Sequence, residues 1–255
     1  MSFKNKTIVI TGGAKGIGAS CAETFYTAKA KVCILDIDEK GQELADKLDS
    51  NALYIKCDVS KDQEVQAAIK QIINKVGDID VLVNNAGIQR YSTVAETSEA
   101  EWDLVMNVNL KSAFLCSKYA IPSMQKKEQG CIINVASVQS FISQNNVAPY
   151  TTSKTALLGL TRSIAVDYGP KIRCVAVCPG TVDTPMLRGA IQESPNPEAV
   201  LQECHDMHIT KRIGTSEEVA ELIAFLASDK AGFITGQAFR IDGGLGLSIG
   251  GSKRD

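Results

Sequence analysis

A tyrosine and a lysine lie four positions apart in the stretch YTTSK, at Tyr150 and Lys154. Side chains at this spacing project from the same face of a helix, so each feels the charge of the other. A free phenol titrates near ~10, which is too high for a general base at neutral pH, but a neighbouring ammonium favours the phenolate and lowers the phenol pKa. The pair predicts proton transfer to or from a hydroxyl group if the rest of the chain positions it, whereas an isolated pair of this kind is more often two amphipathic surface residues.

Short apolar, β-branched segments alternate with segments of helical periodicity along the chain. Continuous apolar runs of this length suit strands buried on both faces, and strand–helix alternation predicts a parallel sheet with helices on both sides. We therefore expect one doubly wound α/β domain over residues 1–255, with about seven strands. Strands are predicted at 7–11, 31–36, 53–57, 79–85, 131–137, 172–177 and 238–242, and helices at 16–29, 39–48, 61–76, 99–127, 151–169 and 216–228.

Residues 181–214 form the only long segment of the sequence without a clear helical or strand periodicity. An irregular segment of that length inside a compact domain is more often functional than idle.

Glycine-rich or polar residues follow nearly every predicted strand. In sheets of this kind, ligands bind outside the carboxyl ends of the strands, so these residues are expected to share one edge. They are TGGAKGIG (11–18), Asp36, Asp58, NNAG (84–87), Ser137 and PG (179–180).

The glycine-rich turn after the first strand predicts a dinucleotide site. Gly12, Gly16 and Gly18 allow a tight turn and a close approach of backbone to ligand, and the N–H groups at the start of the following helix face a pyrophosphate. Asp36 lies 18 residues beyond Gly18, near the spacing expected for an acid that binds the adenosine ribose. That carboxylate would repel a 2′-phosphate and favours NAD over NADP, although Lys15 is placed to attract such a phosphate.

The spacing T-G-x-x-x-G-x-G differs from the commoner G-x-G-x-x-G turn. Together with NNAG, a serine thirteen residues before the tyrosine of YTTSK, and PG after the sixth strand, it closely resembles the classical short-chain dehydrogenase/reductase family. The resemblance covers almost the whole chain. It implies a Rossmann-type fold, a nicotinamide cofactor, and hydride transfer between NAD(H) and a CH–OH group.

The resemblance also implies a catalytic tetrad of Asn109, Ser137, Tyr150 and Lys154. In the family, the tyrosine is the general acid or base, the lysine assists it and holds the nicotinamide ribose, the serine binds the substrate oxygen, and the asparagine orders water. Asn84 is expected to tie strands together. The residues expected to bind the cofactor are Gly12, Lys15, Gly16, Ile17, Gly18, Asp36, Asp58, Val59, Asn85, Ala86, Gly87, Tyr150, Lys154, Pro179, Gly180, Val182 and Thr184.

The substrate is expected to be a sugar or a sugar acid. Residues 136–187 look most like aldohexose and related sugar dehydrogenases, and AGIQR (86–90) is similar to sugar-acid members of the family, where an arginine meets a carboxylate. Amides at the pocket also favour a hydroxylated substrate, because unpaired buried amides penalise an apolar one. Residues 183–210 are predicted to form a lid, and the expected substrate contacts are Gln89, Ser137, Gln139, Tyr150 and Met186.

Two other functions share this framework. A 3-oxoacyl-carrier-protein reductase would usually prefer NADPH and show a basic docking patch near the pocket. A nucleotide-sensing protein without turnover would be expected to carry a broken tetrad, whereas all four positions are intact here.

Composition narrows the functional class further. The formal net charge of −2 argues against a nucleic-acid-binding protein, and no run approaches the ~18 apolar residues of a membrane span. The scattered cysteines predict neither a disulfide framework nor a metal site but small buried side chains, so a cytoplasmic location is expected.

Three further expectations concern the lid, the assembly and the tail. His205 and His208 lie in the irregular segment, where lid packing or solvent exposure is favoured over substrate contact. The family resemblance suggests a homotetramer that uses the helices at 99–127 and 151–169 and the last strand with its helix. The glycine-rich tail from residue 243 either wraps a neighbour or frays.

Overall fold

A sheet of seven parallel strands forms the centre of the molecule in the computed structural model, which describes residues 1–247. The strand order is β3-β2-β1-β4-β5-β6-β7, so the direction of winding reverses between β1 and β4. The strands are β1 Thr7–Thr11, β2 Lys31–Asp36, β3 Ala52–Lys56, β4 Val81–Asn84, β5 Gly130–Val135, β6 Ile172–Pro179 and β7 Ala238–Ile241.

Helices cover both faces of this sheet. Alternating side chains of β1 show why: Ile8 and Ile10 pack into the hydrophobic core beneath α1 and α9, while Val9 points into the core beneath α3, α5 and α6. Both faces are buried, which confirms the doubly wound α/β architecture expected from the apolar runs. The helices are α1 Gly16–Thr27, α2 Lys40–Lys47, α3 Asp62–Lys75, α4 Glu99–Met106, α5 Ser112–Lys127, α6 Ala148–Tyr168, α7 Pro185–Gln192, α8 Pro197–Asp206 and α9 Ser216–Ala227.

The segment expected to be irregular, residues 181–214, contains two helices, α7 and α8. Each begins with a proline that follows a capping residue. Thr184 accepts a hydrogen bond from Leu187 N at 3.3 Å, and Asn196 accepts one from Ala199 N at 3.2 Å. Thr-Pro and Asn-Pro are recognisable helix starts, but helices of eight and ten residues are too short to show a strong period.

The helical segment predicted at 99–127 is continuous but not uniform. A turn of π-helix, Asn107–Lys111, joins α4 to α5 and contains Asn109. Such turns insert one extra residue into a helix and occur frequently at functional sites.

All eight cysteines are free and buried, as expected from their positions in apolar segments.

Within residues 1–247, no helix has both the length and the apolar character needed to cross a membrane. The glycine-rich tail, residues 243–255, is expected either to wrap a neighbour or to fray. Residues 248–255 of this tail lie outside the described part of the chain.

Candidate active site

A cavity of about 1150 Å³ lies at the carboxyl edge of the sheet, above the point where the winding reverses. This is where α/β sheets of this topology bind ligands. Its wall includes the ends of β1 to β6 and residues of α7 and α8. The expected site residues that line it are Gly12, Lys15, Gly16, Ile17, Asp36, Asp58, Val59, Asn85, Ala86, Gly87, Gln89, Ser137, Gln139, Tyr150, Lys154, Pro179, Gly180, Val182, Thr184 and Met186.

The glycine-rich turn has the geometry of a phosphate cradle. Gly12 and Gly16 have φ of +62° and +56°, a region that favours glycine, and a Cβ on Gly12 would lie only 2.8 Å from Ala86 Cα. No side chain of the described chain caps the start of α1, so its first N–H groups are left for a ligand. The start of α9, by contrast, is closed by a capping box.

Gly18, one of the residues expected to bind the cofactor, is not part of the cavity wall. A Cβ at this position would lie 2.1 Å from the carbonyl oxygen of Gly12. The glycine therefore lets α1 pack against the turn that precedes it. Its effect on a bound nucleotide is indirect, through the shape of that turn.

Hydrogen bonds fix the ends of β1 and β4 beneath the cavity. The Asn85 side chain donates to the carbonyl oxygens of Thr11 and Gly12 at 3.0 and 2.9 Å, and the Thr11 hydroxyl accepts from the N–H groups of Asn85 and Ala86. Asn84 donates to Asn134 and Ser117, which confirms its expected role in tying strands together. Asn85 thus holds the glycine turn and is itself part of the cavity wall.

Acidic side chains gather at the end of the cavity nearest β2 and β3. The Asp36 carboxylate accepts hydrogen bonds from Ala14 N at 2.9 Å and from Asp38 N at 3.0 Å. The ammonium of Lys15 pairs with Asp38 at 3.3 Å. Lys15 is thereby partly neutralised by a neighbour, while Asp36 keeps its orientation at the carboxyl end of β2.

Tyr150 and Lys154 face each other from successive turns of α6. The Lys154 ammonium lies 5.7 Å from the centre of the Tyr150 ring and donates a 2.8 Å hydrogen bond to the carbonyl oxygen of Val135. Burial lowers the pKa of Lys154 to about 8, so the ammonium form still dominates at neutral pH but the proton is held less tightly than on an exposed lysine.

The pKa of Tyr150 moves in the opposite direction from that expected. Burial raises it to about 12, the Ser137 hydroxyl acts to lower it, and the nearby Tyr91 phenol raises it further. Desolvation of the buried phenol is the largest cause, and the Lys154 ammonium donates its hydrogen bond to the Val135 carbonyl oxygen rather than to the phenol oxygen.

Ser137 stands at the end of β5 with its side chain beside the phenol. Its backbone is extended, and its hydroxyl accepts a hydrogen bond from Gln139 N at 3.1 Å. The hydroxyl proton is therefore free to be donated to the Tyr150 oxygen, which is how Ser137 acts to lower the phenol pKa. Ser137, Tyr150 and Lys154 converge on one region of the wall, as expected from their spacing.

Asn109 is almost fully buried and lies behind the cavity wall. Its side chain accepts from Ile88 N at 2.8 Å and donates to Ile88 O at 2.9 Å and to the Ser153 hydroxyl at 3.0 Å. The π-helical turn thus joins the loop after β4 to α6. In this geometry Asn109 holds the wall that carries Tyr150 and Lys154.

Comparison with known proteins gives consistent matches over the whole length. The family model described as enoyl-(acyl carrier protein) reductase matches residues 12–246. An uncharacterised oxidoreductase of Thermotoga maritima is 45% identical over 96% of this chain and 98% of its own. Dehydrogenase/reductase SDR family member 6 of Aquarana catesbeiana is 42% identical over 95% of this chain and 98% of its own. The chain belongs to the short-chain dehydrogenase/reductase family.

A solved structure supports the same assignment. The ligand-free aldohexose dehydrogenase of Thermoplasma acidophilum superposes with a TM-score of 0.92 at 40% identity, covering 99% of this chain and 98% of the other. The protein is an oxidoreductase with the Rossmann-type fold of this family, whose members use nicotinamide cofactors. The positive-φ glycines of the turn, the absence of a side-chain cap at the start of α1 and the cavity volume of about 1150 Å³ fit such a cofactor.

Several residues of the site were not found from the sequence. Tyr91, Cys204 and Met207 line the cavity although no motif marks them, and Thr11 and Ser153 hold its wall from behind. Thr11 and Ser153 lie within the motifs TGGAKGIG and YTTSK, so the sequence marked their positions but not their supporting hydrogen bonds. No sequence motif includes the residues of α8, and they reach the cavity only through the folding of residues 181–214.

Proposed function

We propose that this protein transfers a hydride between NAD(H) and the secondary alcohol or carbonyl group of a sugar or sugar acid. The observation that carries the proposal is the single cavity that joins two kinds of site. One end has the glycine turn and Asp36, and the other has Ser137, Tyr150 and Lys154. A nucleotide that spans these ends brings its reactive ring to the tyrosine.

The nucleotide would occupy the cavity in a definite direction. Asp36 would bind the adenosine ribose, Asp58 and Val59 would flank the adenine, and Asn85 to Gly87 would line the adenosine side. The turn at Gly12–Gly16, with Ile17, would hold the pyrophosphate against the start of α1. The loop after β6, with Pro179, Gly180, Val182 and Thr184, would hold the nicotinamide end, and this bound cofactor supplies or accepts the hydride.

Tyr150 would donate or accept the hydroxyl proton of the substrate. Ser137 would bind the substrate oxygen and hold it next to the phenol. Lys154 would bind the nicotinamide ribose, and its remaining charge would stabilise the phenolate when it forms. A phenol whose pKa is raised to about 12 by burial needs this additional stabilisation before it can act as a base at neutral pH.

NAD is the proposed cofactor rather than NADP. The cavity wall near β2 contains the carboxylates of Asp36 and Asp38, and Lys15 already pairs with Asp38. A 2′-phosphate placed there would be repelled by the carboxylates of Asp36 and Asp38, and the ammonium of Lys15 is already paired with Asp38. The residues at this end therefore favour an unmodified ribose hydroxyl.

Replacing Asp36 by alanine should shift the preference toward NADP⁺. We expect the ratio of kcat/KM for NAD⁺ to that for NADP⁺ to fall on the order of tenfold or more, because like charges in contact cost several kcal/mol. Steady-state rates with both nucleotides measure this ratio. Asp46→Ala, on the outer side of α2, is the matched control, and an unchanged ratio in Asp36→Ala would exclude this carboxylate as the determinant.

The substrate end of the cavity carries fixed polar groups. The Gln139 side chain is held by the Thr151 hydroxyl at 3.1 Å and by Gln144 at 3.3 Å, so its orientation is set before substrate arrives. Gln89 and Met186 complete the proposed contacts. Oriented amides at a pocket suit the hydroxyl groups of a sugar.

A cation at the same end supports a sugar acid in particular. The acidic residues that line the described cavity lie at its nucleotide end, at Asp36, Asp38 and Asp58. Arg90 lies near the substrate end, and the hydrogen bond that its side chain makes within the described residues goes to the Gln89 carbonyl oxygen at 2.9 Å. A guanidinium without a neighbouring acid is suited to a substrate carboxylate.

A screen with NAD⁺ and NADP⁺ tests the proposal. The purified protein is offered aldohexoses, 6-deoxyhexoses, pentoses, aldonic acids and simple secondary alcohols, with an acetoacetyl thioester run in the reductive direction. Sugar- or aldonate-dependent NADH formation is the expected result. Activity with the thioester and NADPH alone would replace the proposal by a 3-oxoacyl-carrier-protein reductase, and nucleotide binding without any turnover would indicate a sensing protein.

We also propose that α7 and α8 act as a lid and that the protein is a cytoplasmic homotetramer. The helices lie over the cavity, with Met186 and Met207 at its wall, so their closure would exclude water. Phe114 of α5 and Val166 of α6 are 49% and 81% exposed. Apolar side chains this exposed on the long helices favour contact between subunits there.

A further inference from the structure

His208 is a buried imidazole that the proposed chemistry does not use. It is 1% exposed and follows α8 by two residues, whereas His205, the other histidine of the chain, is partly exposed. His208 itself does not line the main cavity. It lies between two parts of the wall that do, the end of α8 and the loop after β6.

Both ring nitrogens of His208 have backbone partners. Nδ1 lies 2.6 Å from the carbonyl oxygen of Cys204, and Nε2 lies 3.3 Å from Thr181 N. A carbonyl oxygen only accepts, so Nδ1 carries the proton, and a backbone N–H only donates, so Nε2 must be unprotonated. These partners select the neutral tautomer with hydrogen on Nδ1.

Each partner belongs to a different wall of the cavity. Cys204 lies in the last turn of α8, where carbonyl oxygens lack helical partners, so the imidazole caps that helix end. Thr181 follows Gly180 in the loop that we propose holds the nicotinamide end. One side chain therefore connects the lid helix to the cofactor loop through two hydrogen bonds.

The surroundings leave the imidazole little freedom. A Cβ on Gly180 would lie 3.0 Å from His208 Nε2, and one on Gly243 would lie 3.3 Å from its Cδ2. Thr210 N donates to Gly243 O at 3.2 Å, which holds the following residues against the end of β7. Glycines at both positions allow the ring to enter, and the packing fixes its plane.

We propose that His208 is a positioning residue that couples the lid to the cofactor loop. This inference rests on the proposed function for the roles of the two walls. Nε2 accepts the hydrogen bond from Thr181 N and so fixes the position of the loop after β6, which forms the nucleotide side of the cavity. Nδ1 donates to the Cys204 carbonyl oxygen and so fixes the position of the end of α8, which forms the substrate side of the cavity through Cys204 and Met207.

Two substitutions separate the two hydrogen bonds. In His208→Asn, the amide retains a donor near the Nδ1 position but does not reach Thr181, so the dissociation constant for NADH should rise about two- to tenfold, as expected for one neutral hydrogen bond. In His208→Gln, the amide oxygen reaches the Nε2 position, so NADH affinity should stay near wild type while KM for the substrate rises. In each variant kcat should change less than the constant that the substitution raises, which is the NADH dissociation constant in His208→Asn and the substrate KM in His208→Gln. His205→Gln is the matched control and should alter none of them.

The tautomer can be observed without any activity. In protein with ¹⁵N-labelled histidine, only two imidazoles give signals, and the His205→Gln variant assigns them. We expect the His208 spectrum to show a protonated Nδ1 and an unprotonated Nε2. A proton on Nε2 would overturn the proposal, and so would equal losses of thermal stability in both His208 variants with unchanged NADH affinity and KM, which would indicate a purely structural role.

These readouts keep the two proposals distinguishable. If no sugar or sugar acid is oxidised, the proposed function fails, but the tautomer and the NADH dissociation constants still test the coupling role. If turnover is found and the two variants behave alike, the function stands and the coupling role is excluded.

Discussion

Tyr150→Phe is expected to lower kcat on the order of a thousandfold while NADH binding persists. The substitution removes the phenol oxygen but keeps the aromatic ring beside the Lys154 ammonium, so the cavity retains its shape. General acid–base groups contribute about 10²–10⁴ to rate, and the proposed reaction has no second group placed to move this proton. Steady-state rates with the sugar or aldonate found by the screen, together with NADH titration by fluorescence, measure the two effects separately.

The matched control for this prediction is Tyr91→Phe. Tyr91 also lines the cavity and lies near enough to Tyr150 to raise its pKa, but it is 50% exposed and has no lysine one turn away. It should retain most of the wild-type rate. Equal losses in the two variants, or loss of NADH binding in Tyr150→Phe, would contradict the role of Tyr150 as the dedicated acid or base.

Strand positions were the most predictable part of the structure. In a parallel sheet buried on both faces, each strand is a short apolar run, so the runs at Thr7–Thr11 and Lys31–Asp36 have the bounds that the sequence indicates. The next strand lies within one residue of its expected position. Because every strand ends at the same edge, the motifs that follow them meet there without further information.

Features that depend on packing were not predictable in the same way. Gly18 is one of the three glycines that define the motif T-G-x-x-x-G-x-G, but only the structure reveals that it lies against the Gly12 carbonyl oxygen rather than at the cavity. The helices α7 and α8 are too short for a clear period, and their residues reach the cavity through the folded loop. Spacing alone also cannot measure desolvation, which raises the pKa of Tyr150 where the charge of Lys154 alone would lower it.

Lys154→Met is the second substitution expected to have a large effect on activity. It replaces the ammonium by an apolar chain of similar length, which removes the proposed contact with the nicotinamide ribose and the charge that stabilises a phenolate. Loss of a preorganised electrostatic group of this kind lowers kcat on the order of a hundred- to thousandfold. Lys118→Met, at an exposed lysine paired with Asp62, should leave the rate near wild type.

Lys154 also predicts a dependence of stability on pH. Its pKa in the folded protein is about 8, below its ordinary value of 10.5, so between these two pH values the unfolded chain binds more protons than the folded one. Stability therefore rises with pH across this window, and the cost of burying the ammonium is present in full below pH 8. Relative to Lys154→Met, wild-type protein should gain about 3 kcal/mol of unfolding free energy between pH 8 and 10.5.

Chemical denaturation of both proteins at several pH values measures this difference, and titrating groups distant from residue 154 cancel because the two proteins share them. Making the same comparison in the Tyr150→Phe background removes the neighbouring phenol whose titration depends on Lys154. A difference that stays constant across the window would show that the ammonium is not desolvated in the folded protein. Solvent would then stabilise the ammonium as well as it does in the unfolded chain, and the low pKa of Lys154 in the folded protein would be wrong. The expected slope would instead identify Lys154 as a group held at a cost to stability, which is the pattern expected of a residue retained for chemistry.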